Sequence, residues 1–411
     1  MLVLVTLSLL PAAPLDQLVQ EAWRASPEVA SAAATVAVAE ASVERLAVVL
    51  PNPEVEGAVS SDVLFARQGE LDLEVALVQE LAWPGARLAR KDGAERALDS
   101  ARLKLALARL EVAARVEAGI GAVAAAVDAG KVRRDIAEGA RALAAAARRK
   151  VEAGAAGSVE ATLARADEAL AEAALDNAQA VLEADTASLC ALLARDDCVA
   201  LAEQATWPEL PPLPPPPELM TRADVRAATL DLEAARSVVD GAELERIPSA
   251  RLGLGYAFSQ GVFDSPILPD NVIDPDHLAG VTLAVSLPVW DWKSGEVAQA
   301  RAEATHADAE LRALRRRATS SVVSSRARLH AAKASAERLS ATEADVLRAL
   351  SEVQAAYVAG ALALDEALTT RDLLLRSRLE LVDAKRRHVQ AHAAALVALA
   401  QPSAVGVEVA P

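Results

Sequence analysis

His388 and His392 stand four residues apart, so on a helix they would share one face and could offer two imidazoles to a metal ion. No carboxylate or cysteine completes a site at suitable spacing, and the other three of the five histidines are scattered. Solvent-facing histidines and no metal are therefore expected. Cys190 and Cys198 are the only cysteines, close enough to bond in an oxidising compartment, although two reduced thiols fit the spacing as well. No histidine lies beside either to activate a thiolate. P-loop, nucleophile-elbow, zinc and dinucleotide signatures are absent, so neither an enzyme nor a cofactor is expected. The formal charge of −16 disfavours nucleic acid, whose phosphates need a basic surface.

The remaining residues of interest recur in pairs. The stretch Val151–Arg165 aligns without a gap on Tyr357–Arg371, placing Gly154 on Gly360, Glu160 on Glu366 and Arg165 on Arg371. Each glycine suits a helix reversal that needs positive φ. Glu160 and Glu366, with Asp365, open the following helix, where a carboxylate favourably meets the helix N-terminus. Capping explains these acids; an acidic ring narrowing a duct is the sharper alternative. Upstream, Leu50-Pro51 corresponds to Ile247-Pro248, and Trp83-Pro84-Gly85 to the Trp290–Gly295 region. The chain thus reads as two repeats, 14–206 and 218–401, with a proline-rich linker at 207–217 and a tail at 402–411.

Each repeat runs in the same order. A helix (about 15–49 and 218–245) stops at Pro51 or Pro248, and period-two alternation follows. Leu71, Leu73, Val75 and Leu77 interleave with Asp72, Glu74, Ala76 and Val78, and residues 54–62 supply the partner of a hairpin over 54–81. In the second repeat Val281, Leu283, Val285 and Leu287 alternate with polar or small residues. Leu252, Leu254, Tyr256 and Phe258 face one way in a hairpin over 251–287. Such alternation suits a strand with one apolar and one polar face, as in a membrane barrel. Glu54, Glu56, Asp72 and Glu74 would share the polar, lumen-facing side. Trp83, Trp290 and Trp292 follow strands, either as membrane-interface anchors or as packing at the strand-to-helix joint. Long helical patterns come next (86–153 and 294–359), each reaching roughly 100 Å at the α-helical rise, before shorter returning helices.

The chain is 411 residues long and 53% hydrophobic, yet only 2% aromatic, and alanine is the commonest apolar residue. Alanine favours helix but buries little surface, so thin helix packing is expected rather than a thick core. Met1–Ala13 reads as an export signal without the usual positive segment, and no cysteine nearby offers a lipid anchor. No stretch supplies the roughly 20 apolar residues of a spanning helix, so a membrane crossing must use strands. Four strands cannot close a barrel, and open edges cannot face lipid. Three copies would supply twelve strands around a bore roughly 20–25 Å across.

Three segments give a further expectation. Gln79–Arg87 resembles the Q-x-hydrophobic-x-W-P-G-K/R stretch of heavy-metal efflux channels, and Leu287–Gly295 the L-P-hydrophobic-F/W-D-x-G junction of the same family. Tyr357-x-x-Gly360 with Glu366 resembles its hairpin tip. The chain is therefore similar to the TolC-like outer-membrane efflux proteins over nearly its whole length. That resemblance implies a mainly α protein with a small β part, in which a periplasmic α-barrel carries a trimeric 12-stranded transmembrane β-barrel. It also implies a homotrimer in outer-membrane lipid, with a periplasmic adaptor docking at the tips and an inner-membrane pump of the RND type. Val151 departs from the family's tip tyrosine, and Ala155 and Ala361 follow the tip glycines where relatives carry leucine. A soluble coiled-coil adaptor or scaffold would explain the helices but not two hairpins at equivalent points. A duct for type I secretion shares the architecture.

Overall fold

The structure, a computed structural model, describes residues 15–47, 51–62, 70–81, 83–155, 157–196, 202–203, 205–263, 272–287 and 291–407. Met1–Ala13, Trp290 and Cys198 lie outside them. The first helical segment is two helices, not the single one expected: α1 (Leu15–Ala25) and α2 (Pro27–Ala47). Pro27 has no N–H to continue the ladder but is well suited to a first helical turn. Ser26 makes the break a start signal, its Oγ accepting from the Val29 N–H at 3.3 Å. On α1, Leu18, Val19 and Ala22 repeat at helical spacing and are its buried residues.

After β1 (Glu54–Ser61) and β2 (Leu71–Leu81) comes α3 (Pro84–Glu152), 69 residues without interruption, and then α4 (Ser158–Leu193). The second repeat starts later than expected. A 3-10 turn at Leu219–Thr221 precedes α5 (Ala223–Leu244). Then follow β3 (Ala250–Phe263), β4 (Val272–Val285), α6 (Ser294–Ala359) and α7 (Leu364–Leu399). Both returning helices, α4 and α7, have 36 residues, as duplication requires.

The chain divides into two units. One holds the described residues within Met1–Ala34, Arg102–Arg226 and Leu314–Pro411. Its core is small-residue packing: Leu18, Val112, Val116, Val123 and Leu189 form one cluster, and alanines such as Ala140, Ala147, Ala384 and Ala395 are fully buried elsewhere. Gly121 shows how close the helices come, since a Cβ there would lie 2.6 Å from Cγ1 of Val389. The other unit, residues Thr35–Ala101 and Ala227–Ala313, holds one antiparallel sheet in the order β1-β2-β3-β4. The two hairpins are joined through β2 and β3, from Leu71 opposite Gln260 to Leu81 opposite Ala250. No described helix is long and apolar enough to cross a membrane.

Candidate functional site

The sheet register sorts side chains into two faces, because cross-strand partners point the same way and neighbours along a strand point opposite ways. Val55, Leu77, Leu254 and Val281 share one row, and Val59, Leu73 and Phe258 another. This face is apolar and uncovered, with Leu254 56% and Val281 69% exposed. An apolar surface of this extent marks a place that meets lipid or another protein. The opposite face carries Glu54, Glu56, Asp72 and Glu74, with Ser60, Ser259 and small residues between them. Ser60 donates to Asp72 at 3.2 Å. Within the chain β1 pairs only with β2 and β4 only with β3, so both outer edges keep unused backbone groups.

Trp83 and Trp292 sit where strands give way to α3 and α6, 50% and 61% exposed.

At the far end of α3 and α6 the two glycines end their helices alike. Gly154 has φ +72° and Gly360 φ +78°. The Gly154 and Ala155 N–H groups donate to Val151 and Lys150 carbonyls at 3.0 and 2.8 Å, and Gly360 and Ala361 repeat the pattern on Tyr357 and Ala356 at 3.1 and 2.9 Å. These are paired Schellman closures. A Cβ at either glycine meets nothing within 4 Å, so substitution carries only a backbone cost. Gly360→Ala is expected to lower stability by about 1 kcal/mol through the left-handed conformation alone, which thermal unfolding of the purified protein checks.

Behind the tips the halves lock together. Tyr357 is fully buried, donates its hydroxyl to Glu160 at 3.0 Å, and has Lys150 Nζ 3.9 Å above its ring. Burial, then the Glu160 carboxylate, pushes the Tyr357 phenol up to about 12, so it remains a donor. Glu160 thus serves a cross-repeat bond beyond its place at the α4 N-terminus, whereas Asp365 and Glu366 are exposed in the first turn of α7. Arg371, also buried, donates to Asp167 at 2.7 Å and to the Ile136 carbonyl. Its repeat counterpart Arg165 is exposed. The clue to this asymmetry was present in the repeat alignment: Tyr357 faces Val151 there, so one half supplies the bridging side chain.

The histidine expectation is corrected. His392 is buried at 3% exposure; its Nδ1 lies 2.7 Å from Glu117 Oε1 and its Nε2 2.9 Å from the Pro211 carbonyl. A carboxylate and a backbone carbonyl both accept, so these contacts favour the ring that donates from both nitrogens, the imidazolium. Burial pulls its pKa down, but the Glu117 bond and charge with the Pro211 carbonyl outweigh that, leaving it raised. His388 moves oppositely, lowered by burial and by the neighbouring His392. The pair pins the proline-rich linker, which Trp207 also ties through its 2.8 Å bond to Asp128. Spacing of four on a helix could not reveal an acid 275 residues away. Cys190 is disulfide-bonded, and Cys198 lies outside the described residues. No group of three or more metal-ligating side chains occurs among the described residues.

Over residues 217–400 the chain matches the family model of the outer membrane efflux protein. It is 27% identical over 298 residues to the cobalt-zinc-cadmium resistance protein CzcC of Cupriavidus metallidurans, covering 72% of this chain and 68% of the relative. Its fold is similar to that of the outer-membrane channel OprN, with a TM-score of 0.78 at 17% identity, covering 94% of this chain and 89% of OprN. The CmeC outer membrane channel of Campylobacter jejuni gives 0.77 at 15% identity, covering 94% and 85%.

Proposed function

We infer that this chain is the outer-membrane channel component of an efflux system, a reading supported by its match to the outer membrane efflux protein model over residues 217–400 and by its likeness to CzcC. The observation that carries the reading is the sheet: apolar on one face, acidic on the other, and open at both edges. Unpaired edges in lipid cost several kcal/mol per group, so copies must pair edge to edge. Three copies make a twelve-stranded barrel with the apolar face toward lipid and Glu54, Glu56, Asp72 and Glu74 toward the lumen. Trp83 and Trp292 mark the periplasmic boundary of the bilayer.

The acidic lining favours cations. The Cupriavidus relative is named for resistance to cobalt, zinc and cadmium, which suggests divalent metal ions as cargo. Conduction is passive, with energy from an inner-membrane pump, RND-type by the same resemblance, coupled through a periplasmic adaptor. The adaptor docks at the tips around Gly154 and Gly360, and the Tyr357–Glu160 and Arg371–Asp167 bonds hold those tips closed until helix shear separates them.

Planar-bilayer recording of the purified trimer tests this. Discrete conductances with cation preference are expected, and neutralising Glu54, Glu56, Asp72 and Glu74 to their amides should lower that preference. A protein that stays monomeric and forms no conductance sinks the reading. Tyr357→Phe removes one hydrogen bond worth about 1 kcal/mol without a cavity, and should raise open probability about fivefold per lock. An unchanged open probability would remove Tyr357 from the gate.

A further inference from the structure

At the helix end of the sheet lies a cavity of about 1100 Å³, lined entirely from the sheet-bearing unit. Ser249 and Ser286 join the strands to it, and α2, α3 and α5 wall it. Its charges do not balance. Arg45, Arg87, Arg90, Arg246 and Lys293 face Glu80, Glu245 and Asp291, a surplus of two positive charges (five against three) in a chain of net −16. Part of this is internally satisfied: Arg90 and Lys293 both engage Glu245, and the Asp291 carboxylate accepts the Lys293 N–H at 2.8 Å.

Among the described residues three arginines meet no carboxylate. Arg87 donates to the carbonyls of Leu46 and Arg45, both at 3.4 Å, at the C-terminal end of α2. Arg45 donates its guanidinium to no acceptor among the described residues. Arg246 is the clearest: its Nε is buried without a hydrogen-bond partner. A buried donor left unpaired is costly, and native proteins rarely keep one without a use. Guanidinium forks match tetrahedral oxyanions in shape and charge. The indole of Trp83 lines the same space and offers an apolar wall for the organic part of an ester.

We propose that this cavity binds an oxyanion of the phosphate class, held by Arg45, Arg87 and Arg246. The phosphate is either a free anion or the headgroup of an anionic lipid. The site is independent of conduction, because it requires neither the lumen acids nor the tips.

Calorimetric titration of the full-length protein in zwitterionic detergent distinguishes the sources. Inorganic phosphate is one ligand, and mixed micelles with phosphatidylglycerol or phosphatidylcholine are the other. Saturable binding of inorganic phosphate identifies a free anion; binding of phosphatidylglycerol but not phosphatidylcholine, without a phosphate signal, identifies a headgroup. In either case Arg45→Gln with Arg246→Gln should weaken binding at least tenfold, and the Lys pair should weaken it less. Arg45 is exposed, so Arg45→Gln alone keeps the fold and should still cost several-fold. No binding of either ligand by the wild type overturns the proposal. Equal binding by wild type and Arg45→Gln overturns it too.

Discussion

Leu254→Arg is expected to abolish stable assembly in the membrane, while Glu74→Arg on the opposite face leaves assembly intact. Leu254 lies mid-strand in β3 between Leu77 and Val281, on the exposed apolar face. An arginine at bilayer mid-depth on the lipid face of a barrel costs about 2–4 kcal/mol. A trimer carries the change three times, so the sum is roughly 6–12 kcal/mol, comparable with the whole stability of a typical domain. Glu74 shares its face with Asp72 and Glu56, where water can solvate either sign of charge. Fractionation of outer membranes with semi-native electrophoresis reads the result. Trimer in the Glu74→Arg sample and none in Leu254→Arg is the expected pattern. The reverse pattern would mean that the two faces have been assigned the wrong way round.

His392→Ala is expected to be the most damaging single change in the helical unit. It strips the partner from Glu117, itself buried at 4% exposure, and breaking a buried pair from one side costs about 3–5 kcal/mol. It also frees the Pro211 carbonyl and so loosens the linker. Replacing both partners by leucine should recover much of that loss, because no buried charge is left uncompensated. The pair also carries a pH dependence. The folded-state pKa of His392 is raised above the ordinary 6.5, so its stabilisation is fully present below pH 6.5 and disappears as pH climbs through the raised value. His388, Lys333 and Glu337 are the other charged groups coupled to this site, and the lowered pKa of His388 keeps it neutral over the same window. Thermal unfolding at intervals from mildly acidic to alkaline pH should therefore show wild type losing stability on the alkaline side. The double leucine variant should be flatter there. A wild-type profile that rises with pH through this window would contradict the imidazolium assignment.

The elements read most securely from sequence are those fixed by local physics. Alternation over 71–78 and 281–285 specifies strands because side chains there must sort to two faces, and the sheet keeps that sorting. Gly154 and Gly360 specify the turns because a left-handed residue is needed to close each helix, and both adopt it. The repeat places a returning helix after each glycine turn, and the two observed have 36 residues each. The break in the expected single helix at Pro27 also had its cause nearby, in the Ser26 cap.

What the chain order concealed was every contact made at long separation. Sequence by itself determined the order of elements, the two-faced strands and the glycine turns, since each depends on a residue and its immediate neighbours. Only the tertiary structure decided that β2 and β3 fuse two hairpins into one sheet, and that Tyr357 of one repeat bonds Glu160 of the other. It also decided that His392 is buried against Glu117, and that the Arg246 Nε is buried with no hydrogen-bond partner among the described residues. The reason is physical: the protonation and pairing of a polar side chain are set by the acceptors and water around it, and folding brings those groups together from distant parts of the chain.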